Sequence, residues 1–138
     1  MRELSDKHLF DLTNITILIA EDDPISRMIV SKMLEIKKAS VLKAENGYEA
    51  IELLSKSPTV NVVILDLEMP KLNGYDTVKK IREHLPSIPV IAITASMIDK
   101  KMEASLKEHG FTDSMSKPFK ADTFFNKITD ALKEHVQF

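Results

Sequence analysis

The chain has 138 residues, a length that fits one domain with a short extension better than two full modules. Its net charge of −2, without a dense run of Lys or Arg, argues against direct nucleic-acid binding. The absence of cysteine excludes disulfides and thiolate metal sites. No apolar run approaches the roughly 18 residues of a membrane span, and the first residues lack the apolar stretch of a secretory signal. We therefore expect a cytoplasmic domain that makes no membrane contact of its own.

Residues 1–14 are polar and precede the first strand signal, so we predict a tail or linker there and one folded domain over residues 15–138. Within that domain, short runs rich in β-branched residues alternate with apolar residues at helical spacing. The predicted strands are residues 15–20, 40–44, 60–65, 88–93 and 112–116. The apolar stripes that mark the five helices are Ile25, Met28, Ile29, Met33 and Ile36; Ala50, Ile51 and Leu54; Tyr75, Val78, Ile81 and Leu85; Ile98, Met102 and Leu106; and Phe124, Phe125, Ile128, Ala131 and Leu132.

This alternation of strands and helices predicts the fold class. Strands that alternate with helices form parallel sheets with right-handed crossovers, and five units favour an open sheet over an eight-unit barrel. Nearly continuous apolar runs are typical of strands covered by helices on both faces. The sequence thus predicts an α/β fold, a (βα)5 doubly wound parallel sheet. Functional sites in such sheets gather at the carboxyl ends of the strands.

Acids, a hydroxyl and an amine follow the predicted strands at that edge. Glu21 and Asp22 follow the first strand, and Asp66, Thr94 and Lys117 follow the third, fourth and fifth strands. Carboxylates gathered at the rim of an apolar sheet repel one another unless a cation joins them, and hard oxygen ligands suit Mg²⁺. A lysine and a hydroxyl donor are groups that a phosphoryl group needs. Together these residue types favour a site for a phosphoryl group attached to a carboxylate.

The motifs around these residues resemble the receiver domain of two-component response regulators. They read LIAEDDP at 18–24, VVILDLEMPKLNG at 62–74, VIAITA at 90–95 and SKPF at 116–119. The similarity covers roughly residues 15–136, in the same order and at the expected spacing. It implies the flavodoxin-like, CheY-like fold, with five strands in the order 2-1-3-4-5.

The resemblance also implies roles for individual residues. They are the phosphoacceptor Asp66, the switch hydroxyl Thr94, the phosphoryl-pairing Lys117 and the Mg²⁺ ligands Glu21, Asp22, Asp66 and Glu68, the last through its backbone carbonyl. The implied phosphodonor is a phosphohistidine on a histidine kinase or a histidine phosphotransfer protein. The domain would then be a signalling module that catalyses only its own phosphorylation and dephosphorylation. None of the four histidines in the chain needs a catalytic role, and we expect them on exposed helices or loops.

Two contexts fit such a receiver. The stretch LFDLTNITILIAEDDPISR at 9–27 resembles the joint between a kinase core and the carboxyl-terminal receiver of a hybrid sensor histidine kinase, and we prefer this context. The domain would then be the cytoplasmic part of a membrane-bound sensor kinase. A stand-alone single-domain response regulator is the alternative. No long hydrophobic seam is visible, so we expect a monomer.

Two further functions stay open at this point. Ser114 stands three residues before the lysine, where many receivers have Tyr or Phe, so a receiver-like interaction module that works without phosphorylation is one alternative. The other is a flavin carrier or an aspartyl phosphatase on a similar fold. An acidic, proline-bearing loop after the first strand argues against flavin, because it is not a glycine- or hydroxyl-rich phosphate cradle. No substrate-capping insertion that would indicate a phosphatase is recognisable.

Overall fold

The computed structural model describes residues 11–57 and 59–135, which form a five-stranded parallel sheet flanked by helices. The strands are β1 (Thr16–Ala20), β2 (Ser40–Ala44), β3 (Val62–Asp66), β4 (Val90–Thr94) and β5 (Asp113–Ser116). The helices are α1 (Pro24–Ile36), α2 (Gly47–Lys56), α3 (Gly74–His84), α4 (Lys100–His109) and α5 (Ala121–His135). The strand order β2-β1-β3-β4-β5 confirms the predicted fold. No helix within the described ranges is long and apolar enough to cross a membrane.

Two neighbouring strands, β3 and β4, end at residues that were predicted to belong to the site. β3 and β4 each begin two residues later than predicted and run on through Asp66 and Thr94. Asp66 and Thr94 are therefore the last residues of their strands. The prediction had placed each of them one residue beyond the end of its strand. The register pairs Asp66 with Ile93, the residue before Thr94, so both strands end at the same edge of the sheet.

The core lies in two layers, one on each face of the sheet. Every residue of β3 is buried, and alternate side chains of a strand point to opposite faces. Val63 and Leu65 pack in the layer that contains α2 and α3, whereas Ile64 packs with residues of α1 and α5 such as Phe124. Burial on both faces explains why β3 is an unbroken apolar run up to Asp66.

Helix α1 packs through a different face from the stripe that marks it in the sequence. Its buried residues are Val30, Ser31 and Leu34. Ser31 lies in the core because its hydroxyl donates a hydrogen bond to the backbone oxygen of Arg27 at 2.7 Å. Most of the predicted stripe is exposed, namely Ile25 (64%), Met28 (53%), Ile29 (52%) and Ile36 (75%). The apolar spacing identified the helix correctly, but it was wrong as a guide to the buried side.

The helix ends follow ordinary capping chemistry. Asp23 caps α1 by accepting a hydrogen bond from the backbone nitrogen of Ser26 at 2.9 Å. Asn46 and Asn73 cap α2 and α3 in the same way. Gly110 ends α4 with a φ of 112°, a left-handed conformation that favours glycine. Asp23 therefore acts as a helix cap beside the acidic residues of the β1 end.

The core begins before the end of the predicted tail. Residues 1–10, on which most of that prediction falls, lie outside the described residues. Leu12, however, is 2% exposed and packs in the layer of α1 and α5. Its backbone nitrogen donates a hydrogen bond to the backbone oxygen of Lys37 at 2.7 Å. The boundary between tail and domain stays a prediction, but Leu12 contributes to the core.

Two histidines test the expectation that the histidines are exposed. His84, at the end of α3, and His109, at the end of α4, are both exposed, which confirms it for these two. The ring of His109 lies edge-on to Tyr75 with 4.9 Å between centroids. His8 and the side chain of His135 lie outside the described residues.

Candidate functional site

Three carboxylates meet at the carboxyl ends of β1 and β3. Glu21 follows β1 and is 1% exposed, Asp66 ends β3 and is 3% exposed, and Asp22 is exposed. One carboxylate oxygen from each of the three lies within 4.8 Å of those of the other two. The structure thus brings together the three acids that the strand ends predicted.

Lys117 joins the acids from the end of β5. Its ammonium nitrogen lies 2.7 Å from Glu21 Oε1 and 3.4 Å from Asp66 Oδ2. Its backbone nitrogen donates a hydrogen bond to the backbone oxygen of Thr94 at 2.7 Å, and the Lys117-Pro118 peptide bond is cis. One ammonium is therefore shared between two buried carboxylates.

The charges of this cluster are unevenly balanced. Burial raises the pKa of Asp66 to about 7, and the neighbouring Glu21 acts in the same direction. Burial also disfavours the charge on Glu21, but hydrogen bonds with Asp66 and Lys117 outweigh it and lower the pKa of Glu21. Burial disfavours the charge on Lys117 too, yet the two carboxylates raise its pKa overall. Glu21 therefore keeps its charge, and Asp66 holds a proton more tightly than an ordinary aspartate.

This donor set fits a divalent cation. Three carboxylate oxygens close to one another are the hard ligands that Mg²⁺ prefers. Burial, followed by the neighbouring Glu21, raises the pKa of Asp66, so its ionised form is disfavoured even with Lys117 beside it. Glu68, the fourth predicted ligand residue, donates a hydrogen bond from its backbone nitrogen to Asp66 Oδ1 at 3.1 Å. A bound cation would favour the ionised Asp66 carboxylate and so lower its pKa.

Thr94 lies beside the cluster, but its hydroxyl is hydrogen-bonded to Glu68. Thr94 is fully buried at the end of β4, and its Oγ1 donates a hydrogen bond to Glu68 Oε2 at 2.9 Å. The same oxygen accepts a hydrogen bond from the backbone nitrogen of Ser96 at 3.1 Å. The sequence reasoning gave Glu68 a role through its backbone only and did not predict this side-chain contact.

Arg27 contacts the site but was not among the residues predicted from the sequence. Its guanidinium donates hydrogen bonds to the backbone oxygens of Glu21 at 2.7 Å and Asp22 at 3.3 Å. It also lies 3.9 Å from the carboxylate of Glu45. Helical side chains point back toward the helix N-terminus, so an arginine in the first turn of α1 could have indicated a contact with this loop. Arg27 fixes the backbone that carries two of the three acids.

The start of α3 approaches the end of β3 very closely. A Cβ atom at Gly74 would lie 2.7 Å from the backbone oxygen of Asp66 and 2.7 Å from Cα of Leu67. The backbone nitrogen of Gly74 also donates a hydrogen bond to the backbone oxygen of Leu67 at 3.0 Å. Only glycine therefore lets this helix pack against the backbone that presents Asp66.

Curated relatives share the sequence pattern over most of the chain. The model of the response regulator receiver domain matches residues 17–129. A cyclic di-GMP phosphodiesterase from Thermotoga maritima is 35% identical over 122 residues, which are 88% of this chain and 32% of that protein. The sensor histidine kinase RcsC from Escherichia coli is 30% identical over 125 residues, which are 91% of this chain and 13% of that protein. The chain therefore spans about a third or less of the length of these two relatives.

A solved structure agrees in fold. It is the receiver domain of the sensor histidine kinase PA1611 from Pseudomonas aeruginosa, with a magnesium ion coordinated in its active-site cleft. Its TM-score with this chain is 0.77 at 25% sequence identity, and the match covers 86% of this chain and 97% of that one. Since the family model spans most of the chain and the sheet order agrees with it, the chain belongs to the response regulator receiver domain family.

Proposed function

We propose that the chain is a phosphoacceptor domain of two-component signalling in which Asp66 receives a phosphoryl group from a phosphohistidine. The observation that carries this proposal is the buried Asp66 carboxylate with the Lys117 ammonium 3.4 Å away. The family is that of receiver domains, which supports the same conclusion. The donor histidine belongs to a histidine kinase or to a histidine phosphotransfer protein.

The residues of the chain divide the transfer between them. An Asp66 carboxylate oxygen attacks the phosphorus atom, and the bond between phosphorus and the donor imidazole nitrogen breaks, with its electron pair left on that nitrogen. Lys117 pairs with the negative charge of the transferring group, so most of the catalysis is positioning and charge stabilisation. Water later hydrolyses the acyl phosphate and regenerates Asp66. Apart from this self-phosphorylation and dephosphorylation, the domain needs no enzymatic activity.

The same proposal includes Mg²⁺. Glu21, Asp22, Asp66 and the backbone carbonyl of Glu68 would hold the ion, which supplies positive charge to the phosphoryl oxygens. Support comes from the mutual proximity of the three carboxylates. The PA1611 receiver domain, which has a magnesium ion in its active-site cleft, supports it as well.

A protein donor fits the surface around the site. Exposed apolar residues on α1, among them Ile25 and Ile29, lie on a helix that begins next to the acidic loop. Ile29 also lines, with Lys117 and Phe119, a cleft of about 230 Å³. Exposed apolar patches near a reactive group mark surfaces for protein partners. This supports a macromolecular phosphodonor over small-molecule donors alone.

We infer further that the domain is the receiver of a hybrid sensor histidine kinase and that it is a monomer in isolation. The similarity to RcsC, a sensor histidine kinase of which this chain matches 13%, supports the first inference. A stand-alone response regulator is the alternative, and the full-length gene sequence distinguishes the two. Sedimentation that shows a tight dimer without phosphate would contradict the second inference.

The decisive experiment is phosphorylation with acetyl phosphate. In the presence of Mg²⁺, mass spectrometry should detect one added phosphoryl group on the wild-type protein and none on Asp66→Ala. Asp130→Ala, which removes an exposed aspartate on α5, is the matched control and should be phosphorylated normally. An unmodified wild type, or modified Asp66→Ala, rejects the proposal.

Ser114 favours one alternative, an interaction module that works without phosphorylation. Ser114 is 8% exposed in β5 and offers no aromatic ring that could move when Thr94 moves. If this alternative holds, treatment with a phosphoryl analogue leaves the NMR spectrum and the affinity for partners unchanged. Widespread shifts of amide resonances around β4 and β5 would exclude it.

A further inference from the structure

The Thr94 hydroxyl has one proton, and Glu68 already receives it. Thr94 is fully buried at the end of β4, and its Oγ1 donates a hydrogen bond to Glu68 Oε2 at 2.9 Å. A hydroxyl group donates a single hydrogen bond. Thr94 therefore cannot donate to Glu68 and to a phosphoryl oxygen on Asp66 at the same time.

Glu68 is coupled to the acceptor as well as to Thr94. Its backbone nitrogen donates a hydrogen bond to Asp66 Oδ1 at 3.1 Å, so the Glu68 side chain starts next to the reacting carboxylate. A phosphoryl group on Asp66 replaces the carboxylate charge with up to about −2 charge on phosphoryl oxygens, which are also hydrogen-bond acceptors. That charge repels the Glu68 carboxylate and attracts the Thr94 proton. Glu68 is an exposed residue, so its side chain is free of the packing that would prevent it from turning away.

The contact extends into the loops after β4 and β5. Thr94 Oγ1 accepts a hydrogen bond from the backbone nitrogen of Ser96 at 3.1 Å. The backbone oxygen of Ser96 accepts one from the hydroxyl of Ser116 at 2.8 Å, and Ser116 precedes Lys117. A change of partner at Thr94 thus disturbs the 94–96 loop and the end of β5 through hydrogen bonds. This route needs no aromatic side chain at position 114.

We propose that the Glu68 carboxylate is a latch that holds the Thr94 hydroxyl in the unphosphorylated domain, and that a phosphoryl group on Asp66 must displace it. The proposal rests on the proposed function of Asp66. The latch makes the active arrangement of the 94–96 loop less favourable until phosphorylation supplies a stronger acceptor. It also replaces an aromatic switch by a polar one in this chain.

The test compares variants of Glu68 for their affinity for beryllofluoride, an analogue of the phosphoryl group, with Mg²⁺ present. Glu68→Ala should bind the analogue about tenfold more tightly than wild type. In this variant the Thr94 hydroxyl no longer donates to a charged carboxylate that competes with the analogue. Glu68→Gln keeps an acceptor for Thr94 and should fall between the two. Glu83→Ala removes an exposed carboxylate on α3 and serves as the matched control with unchanged affinity. Equal affinities of wild type and Glu68→Ala overturn the latch.

A double-mutant cycle separates the latch from a simple charge effect. If Glu68 acts through the Thr94 hydroxyl, most of the tenfold gain disappears when Glu68→Ala is made in a Thr94→Ala background. If Glu68 acts only as a negative charge near Asp66, the gain is the same in both backgrounds, and that result overturns the proposal. Titration followed by NMR gives the four affinities.

A second measurement does not depend on phosphorylation. In the unmodified protein, Glu68→Ala should increase the hydrogen-exchange rate of the Ser96 amide severalfold, because Thr94 is no longer held as its acceptor. Glu83→Ala should leave that rate unchanged, and an unchanged rate in Glu68→Ala overturns the latch. A wild type that binds no analogue rejects the proposed function instead, so the two failures are distinguishable.

Discussion

At the scale of single residues, Asp66 is a group whose negative charge is disfavoured by its surroundings. Burial, together with Glu21, raises its pKa from the ordinary 3.8 to about 7. The folded chain therefore binds this proton more tightly than the unfolded chain does. The stability that the protonated carboxyl contributes is complete below pH 3.8 and is lost as the pH rises to about 7.

Asp66→Asn removes this pH dependence. Without Mg²⁺, the variant should be more stable than wild type at pH 8 by about 1–3 kcal/mol, and the difference should shrink toward zero near pH 4. Urea unfolding in chelator at several pH values measures it. Asp130→Asn, at an exposed position, is the control and should track wild type. If Asp66→Asn were more stable than wild type by the same amount at every pH, the charge of Asp66 would not be the cause of the difference.

The positions of the site residues were accessible from sequence, but their side-chain contacts were not. Asp66 and Lys117 could be placed together because the carboxyl ends of parallel strands share one edge. The hydrogen bond from Thr94 to Glu68 depends on two side-chain conformations that no spacing rule specifies. The contacts of Arg27 with the acidic loop likewise depend on its rotamer as well as its place in α1.

At the scale of elements, the packing of α3 against the end of β3 positions Asp66, the proposed acceptor. Gly74→Ala would place a Cβ atom 2.7 Å from the backbone oxygen of Asp66, and backbone atoms cannot yield as a flexible side chain can. We expect a loss of about 1–3 kcal/mol in the free energy of unfolding, typical of overpacking. The rate of phosphorylation by acetyl phosphate should fall as well, because the Asp66 carboxylate shifts.

Thermal unfolding and a phosphorylation time course measure these two effects. Lys79→Ala, at an exposed position of the same helix, is the control for a change in α3 that creates no close contact. If Gly74→Ala folds with wild-type stability and is phosphorylated at the wild-type rate, the close approach does not constrain the acceptor.

Element types were predictable because β-branched runs and helical spacing differ in period. The exact ends of the strands and the buried face of α1 were harder to predict. β3 and β4 extend to Asp66 and Thr94 because hydrogen bonding with neighbouring strands, and not apolar character, decides where a strand ends. On α1, Ser31 is buried and Ile29 is exposed. The Ser31 hydroxyl donates a hydrogen bond to the backbone oxygen of Arg27, and a hydropathy pattern does not take such a bond into account.

At the scale of the whole molecule, the proposed metal site links ion binding to stability. A ligand that binds only the folded chain stabilises it, by about 1.4 kcal/mol for each tenfold rise in concentration above its dissociation constant. Mg²⁺ should therefore raise the melting temperature progressively, and a chelator should reverse the rise.

Asp22→Asn tests the assignment of the site without disturbing the core, since Asp22 is exposed. This variant should keep a wild-type melting temperature in chelator and lose most of its response to Mg²⁺. Asp130→Asn should keep the full response. Identical Mg²⁺ responses of Asp22→Asn and wild type would place the ion elsewhere.

The central position of β3 has a consequence for how the domain can diversify. Every residue of this strand is buried, so the proposed acceptor Asp66 stands at the end of a fully buried strand, whereas Glu68, Ser96 and Asp22 stand on exposed loops. Central strands of this kind open least often in native proteins. If Asp66 is the phosphoacceptor as proposed, loop substitutions should change signal duration and partner choice while its carboxylate keeps its place, so the loops at this edge of the sheet are the region in which to engineer altered signalling.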